Sequence, residues 1–194
     1  MSSRPYHLGR RAAAMDERRA RIIAAAREEL LSGPRFTLEA VAERSGVSRV
    51  TVYAQFGDRD TLLEAVYDDL AASGGLERIP EAFATSDQSR ALEIVVEVFC
   101  HFYTVHREVI RRLQALRAVS TGEFSGQGER NERRRQLLSA VLSRSGVDDP
   151  QLVNTLQALT SFAFVDELAG AKRTPDDVAG DVMKLVASAV TERG

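Results

Sequence analysis

Five side chains that can donate or accept hydrogen bonds fall within eight consecutive residues: Ser48, Arg49, Thr51, Tyr53 and Gln55. They include no nucleophile with a base beside it and no metal-ligand spacing, so the chemistry they suit is recognition. The planar fork of Arg49 matches the O6 and N7 atoms of guanine, and Val50 and the Thr51 methyl suit contact with a thymine methyl. Phosphate contacts fix register on a duplex and base contacts carry sequence information, so these groups need one rigid element to present them together.

The surrounding residues, F-T-L-E-A-V-A-E-R-S-G-V-S-R-V-T-V-Y-A-Q-F from Phe36 to Phe56, supply such an element. Thr37 precedes an apolar-periodic run (Leu38, Val41, Ala42), with Glu39 in the first turn where the helix dipole favours an acid. Ala42 is small where two helix backbones must approach closely. Gly46 can take the left-handed conformation of a sharp turn, Val47 plugs the core, and Ser48 caps a second helix. Val52 and Phe56, four apart, face inward, which leaves Arg49, Thr51, Tyr53 and Gln55 to project elsewhere. This is the layout of a helix-turn-helix whose second helix enters the major groove.

The continuation, T-V-Y-A-Q-F-G-D-R-D-T-L-L-E-A-V, resembles the signature of the TetR family of bacterial transcriptional regulators. The resemblance covers about residues 18–70. It implies that Thr37 bonds a phosphate, that Ser48, Arg49, Val50 and Thr51 face base edges, and that Tyr53 sets its hydroxyl against the DNA backbone. Arg59, where the family usually has Lys, would clamp another phosphate. Gln55 stands where the family often has His or Tyr, and any phosphate contact it makes departs from that pattern.

The rest of the chain reads as helix after helix, with no alternating strand pattern. Residues 1–15 read as a flexible basic arm, 16–73 as the DNA-binding head and 74–194 as a helical body, about nine helices in all. The fold class is therefore all-α, with a three-helix head and a C-terminal bundle for ligand binding and dimerisation. Asp58, Asp149 before Pro150 and Thr174 before Pro175 mark helix starts. Between Ala91 and Glu108, Leu92, Val95, Val96, Phe99, Phe102, Tyr103 and His106 form one apolar face, widened by Ile94, Val98 and Val105. Glu93, Glu97, Cys100, Thr104 and Glu108 are left as the strip facing water. A helix apolar over most of its circumference belongs at the centre of a bundle.

In TetR-like proteins the equivalent helix lines an inducer pocket, and the resemblance implies a small-molecule effector of unknown class at Phe99, Phe102, Tyr103, His106 and Phe162. His106 also reads as a hydrogen-bonded core histidine. Asp166 and Glu167 read as solvated helix-end acids, with a cationic ligand as the alternative. Leu152–Leu168 and Val178–Val190 are the last two long apolar segments, and in this family such helices pair with a second copy to make a homodimer.

Composition bounds the rest. The chain has 194 residues, 28% charged and 44% hydrophobic, with a single cysteine, which fits a cytoplasmic protein without an intrachain disulfide. No apolar run reaches the roughly 20 residues of a membrane helix. Residues 1–57 carry a net charge of +4 and the other 137 carry −6, a basic head on an acidic body, as expected of a head that meets a polyanion. Arg10, Arg11, Arg18 and Arg19 read as a solvated basic face. An enzyme reading lacks a phosphate loop, a metal-ligand cluster and a base for Cys100, and His7, His101 and His106 form no recognised pattern, so neither cofactor nor metal is expected. Double-stranded DNA is the expected partner, bound as an operator by a ligand-responsive repressor. The competing function is that of a helical protein–protein adaptor.

Overall fold

The computed structural model describes residues 4–33, 35–118 and 125–193. Among them run ten α-helices and no strand: α1 (Arg4–Ser32), α2 (Leu38–Ser45), α3 (Arg49–Phe56), α4 (Arg59–Ser73), α5 (Glu81–Ala84), α6 (Gln88–Ala118), α7 (Ser125–Ser143), α8 (Pro150–Leu159), α9 (Phe162–Ala169) and α10 (Ala179–Thr191). Short 3-10 turns occupy Leu76–Arg78 and Asp176–Val178. No helix among the described residues is long and apolar enough to cross a membrane.

Two differences from the sequence reading stand at the ends of helices. Residues 4–15, expected as part of an arm, continue α1. Pro5 sits in its first turn, where a missing amide costs nothing, and the run Ala12-Ala13-Ala14-Met15 has high helix propensity. The side chains of Arg10 and Arg11 lie outside the described ones, as do residues 1–3. The second difference is a break inside Leu152–Leu168. Thr160 leaves helical geometry (φ −95°, ψ 9°), and Ser161 restarts α9 by accepting the Phe164 amide at 3.2 Å.

The chain divides into two compact units, Met1–Asp69 with Arg111–Ser120, and Leu70–Ile110 with Thr121–Gly194. In the first, Ile22, Ala26 and Leu30 of α1 are buried with Leu38, Val41 and Ala42 of α2, Val52 and Phe56 of α3, and Leu62, Leu63 and Val66 of α4. Arg44 of α2 donates to Glu29 of α1 at 3.0 and 3.2 Å. Arg117 donates to Glu64 at 3.3 Å and lies over the Tyr67 ring, which ties the last turns of α6 to α4 within this unit.

In the second unit α6 is the central helix, with Val95, Val96, Phe102, Tyr103, His106 and Ile110 all buried. Two positions depart from the expected faces. Cys100, assigned to the strip facing water, is 1% exposed, whereas Val105, assigned to the apolar face, is 50% exposed. The helix is not straight. His106 has φ −114° and ψ 15°, a kink that rotates the residues beyond it relative to the ideal wheel.

One residue past the kink, Arg107 reaches across to the end of α9. Its Nε donates to Asp166 Oδ1 at 2.5 Å, and its two Nη atoms donate to the backbone oxygens of Arg173, Asp166 and Gly170 at 2.7, 3.2 and 2.7 Å. Asp166, one of the two acids read as solvated, is therefore part of this cluster. The Thr174-Pro175 start is reciprocal: the Thr174 amide and hydroxyl donate to Asp177 Oδ2 at 2.7 and 2.8 Å, and the Asp177 amide donates back to Thr174 Oγ1. It opens a 3-10 turn first and α10 only at Ala179.

Candidate nucleic-acid interface

The turn between α2 and α3 is built by short-range bonds. Thr37 Oγ1 accepts the Ala40 amide at 3.2 Å to start α2. Gly46, at φ 68° and ψ 26°, ends it, with its own amide on Glu43 and the Val47 amide on Ala42 at 3.2 and 3.1 Å. This is the closure that a left-handed glycine permits and a side chain would strain. Ser48 Oγ then accepts the Thr51 amide at 3.2 Å and lies 2.8 Å from the Thr51 hydroxyl. Two anchors, Val52 at 0% and Phe56 at 3% exposure, clamp α3 to the head. Arg19 of α1 stacks over the Phe56 ring at 4.6 Å, so this arginine, read as part of a solvated face, also packs.

What remains of α3 faces outward. Val50 is 77% exposed, an apolar side chain in water with no packing role of its own. Ser48, Arg49 and Tyr53 are exposed beside it, and Thr37 is exposed at the start of α2. Thr51 is half-buried. Gln55 and Arg59 are half-buried as well, with Gln55 Oε1 and Arg59 Nε out of reach of water and without a hydrogen-bond partner. These two thus sit deeper than the exposed group at 48–53. Asp58 Oδ1 accepts the Thr61 amide at 2.7 Å, which holds its carboxyl below the usual carboxylate range and starts α4.

Arg49 is not loose. Its Nη1 lies 2.8 Å from Glu39 Oε1 on α2, and its Nη2 donates to the Tyr53 hydroxyl at 3.2 Å. The Tyr53 bond first, and the Glu39 charge second, raise its pKa, and the side chain stays cationic. Glu39 was legible in the sequence only as a first-turn acid; its spacing of ten residues from Arg49 gave no sign of the pair.

The residues expected around an effector also come together. Tyr103 stands at the centre, with ring centroids 6.1 Å to Phe99, 5.7 Å to Phe102 and 5.3 Å to Phe162, and Phe102 meets His106 at 5.2 Å. The break between α8 and α9 explains the centre: it frees the Thr160 carbonyl, which accepts the Tyr103 hydroxyl at 3.0 Å. Gly74 lies against the far side of the cluster, where a Cβ would stand 2.4 Å from Phe102 Cδ2 and 2.8 Å from His106 Nε2.

A rigid head that presents one short helix, with an all-helical body behind it in sequence, defines a helix-turn-helix DNA-binding regulator. Residues 22–66 match the family of bacterial regulatory proteins, tetR family, so the head belongs to the TetR family. The fold of the whole chain agrees. A TetR-like transcriptional regulator from Rhodococcus sp. RHA1 is similar over 91% of this chain and 97% of its own, with TM-score 0.67 and 22% identity. FadR from Bacillus subtilis, solved in complex with stearoyl-CoA, is similar over 88% and 98%, with TM-score 0.67 and 14% identity. NalD, the secondary repressor of the MexAB-OprM multidrug efflux pump in Pseudomonas aeruginosa, is similar over 90% and 96%, with TM-score 0.62 and 22% identity. No curated protein matches the chain in sequence.

Proposed function

We propose that this chain is a ligand-responsive repressor that binds a near-palindromic DNA operator as a homodimer, in the cytoplasm. The observation that carries the reading is the presented face of α3, where Val50, Arg49 and Tyr53 stand exposed on a helix clamped by Val52 and Phe56. Arg49 reads guanine, Val50 with the Thr51 methyl reads thymine and Ser48 faces the base edges beside them, while Thr37, Tyr53 and Arg59 serve register on the phosphates.

Two heads in successive major grooves need separations of about 34–36 Å, one turn of DNA, or a multiple of it. The two segments expected at the dimer interface are α8 with α9, and α10. Leu185 of α10 is 43% exposed, and Leu159, Phe164 and Leu168 are half-buried, which supports an apolar face available to a second copy. An effector bound at the Tyr103 cluster lowers operator affinity by its differential affinity for the two states. The complex of FadR with stearoyl-CoA and the repressor role of NalD support this part by fold likeness.

The test is selection of bound duplexes from a randomised DNA library at physiological salt. The expected product is an inverted repeat. Arg49→Ala should lose about 1–3 kcal/mol of binding to it as a base-reading contact, and Tyr53→Ala should weaken binding across all sequences as a backbone contact, each with an unchanged circular dichroism spectrum. Weak, salt-sensitive binding without a motif would reject the operator reading and favour a protein–protein adaptor.

A further inference from the structure

Several arginines of the second unit, and Arg117 in the last turns of α6, are neutralised by an acid or spent on backbone oxygens. Arg107, 15% exposed, holds Asp166, and Arg117, 11% exposed, holds Glu64. Arg144 gives both Nη atoms to the carbonyls of Ala82 and Thr85. Arg134 of α7 differs from these. It is half-buried, its Nη1 donates to the Tyr103 hydroxyl at 3.2 Å, and its Nη2 donates to Asn131 Oδ1 at 3.3 Å. Its Nε is buried with no acceptor, and no carboxylate pairs with it among the described residues.

The groups it bonds to or stacks on are neutral. Asn131 contributes an amide, and Gln157 of α8 donates to the Asn131 carbonyl at 3.0 Å. On the other side lies the Phe99 ring, 5.9 Å from the guanidinium carbon, and then the rings of Tyr103 and Phe162. Tyr103 spends its proton on Thr160, so it meets Arg134 only as an acceptor and supplies no charge. A half-buried cation without a counter-charge is costly, and an oxyanion offers what its remaining N–H groups lack.

We propose that Arg134 recognises the charged head of the effector, and that the effector is an amphiphile with an oxyanion head, carboxylate or phosphate, on an apolar body. The head takes the remaining N–H donors of Arg134, and the body lies against Phe99, the half-buried ring at the rim of the aromatic cluster. This assignment rests on the ligand-responsive reading given above and names the ligand class for it.

The test uses the full chain and four probes below their micelle concentrations: decanoate, decyl phosphate, decan-1-ol and decyltrimethylammonium. Binding is followed by calorimetry, and release of the selected operator by fluorescence anisotropy. The expected result is that one or both anions bind saturably and about tenfold or more tightly than decanol, since a charge-assisted bond replaces a neutral one. The tighter of the two anions identifies the head. Arg134→Met should erase the preference while keeping decanol binding and operator binding. Should that variant fold poorly, Arg134→Lys, which keeps the charge and loses the planar fork, should weaken the anion preference on an intact fold.

Equal binding of decanol and the anions, binding of none of the four, or an anion preference that survives both substitutions would each overturn the assignment. Operator release by decanol alone would leave ligand response standing while removing the oxyanion from it. Failure of every probe to release DNA that the protein does bind would count against ligand response itself.

Discussion

Substituting Gly74 with alanine isolates one close contact made to α6 beside its kink. The glycine lies outside the left-handed region, so alanine is free to adopt its backbone and should gain about 0.4–1 kcal/mol from a less flexible unfolded chain. Against this stands the added methyl, 2.4 Å from Phe102 and 2.8–2.9 Å from the His106 ring. Neither ring can retreat to solvent, since Phe102 is 2% and His106 3% exposed. Overpacking of this kind costs about 1–3 kcal/mol, and a two-ring clash belongs in the upper half of that range. The net loss is therefore about 1–2 kcal/mol, which lowers Tm by about 2–8 °C in a chain of this length. Thermal unfolding followed at the helical circular dichroism band measures it. Gly180→Ala is the control, because nothing lies within 4 Å of a Cβ there and the helix should gain stability. A Gly74→Ala protein as stable as the unmodified one would refute the packing argument. A Gly74→Ala, Phe102→Leu double variant should cost less than the sum of its parts, because leucine relieves the clash.

Two other perturbations follow from buried groups. Arg107→Gln removes the bonds that close the end of α9 and leaves Asp166 without that partner, so it should cost about 2–3 kcal/mol, somewhat less than for a fully buried pair, with Lys at the same position recovering little; urea denaturation curves give the comparison. Burial, with Asp176 adding to it, pushes the Cys100 thiol up to about 12 from 9.0. The native protein should therefore leave a thiol reagent unreacted at pH 8 and take up one equivalent on unfolding. A raised thiol pKa favours the folded state fully below about pH 9, and that contribution is lost as pH rises toward 12.

The head was legible in the sequence because its signals are local. Thr37, Gly46, Ser48 and Asp58 each act within three to five residues of themselves, and the bonds they make are the ones their types and spacing imply. The body was less legible wherever a residue acts over distance. The break at Thr160 has no glycine or proline to mark it; it is held in part by a tyrosine 57 residues earlier in the chain. The kink at His106 likewise has no glycine or proline to mark it, and Val105, one residue before it, was placed by phase alone. Cys100 was placed by its phase on the wheel, which does not show what covers that side of α6. The aromatic cluster was recovered from periodicity, whereas nothing in the local pattern singles out Arg134 or Arg107, because sequence alone does not reveal a partner dozens of residues away.

Arg107 holds its neighbours mostly by their backbone. Three of its four acceptors are peptide oxygens, those of Asp166, Gly170 and Arg173, and a peptide oxygen is the same whichever side chain stands beside it. Residues 171 and 172 are accordingly free to drift in identity while the path of the chain stays fixed, whereas Gly170 is held to glycine by its φ of 60° and Arg173 by its bonds to Leu168 and Asp181. What they cannot do is change in number, since one inserted or deleted residue would carry a carbonyl away from the guanidinium. The middle of the turn between α9 and α10 is thus tolerant of substitution and intolerant of length change, whereas surface loops usually allow both. Lys172→Ala should pass unnoticed where a single-residue insertion unseats the end of α9.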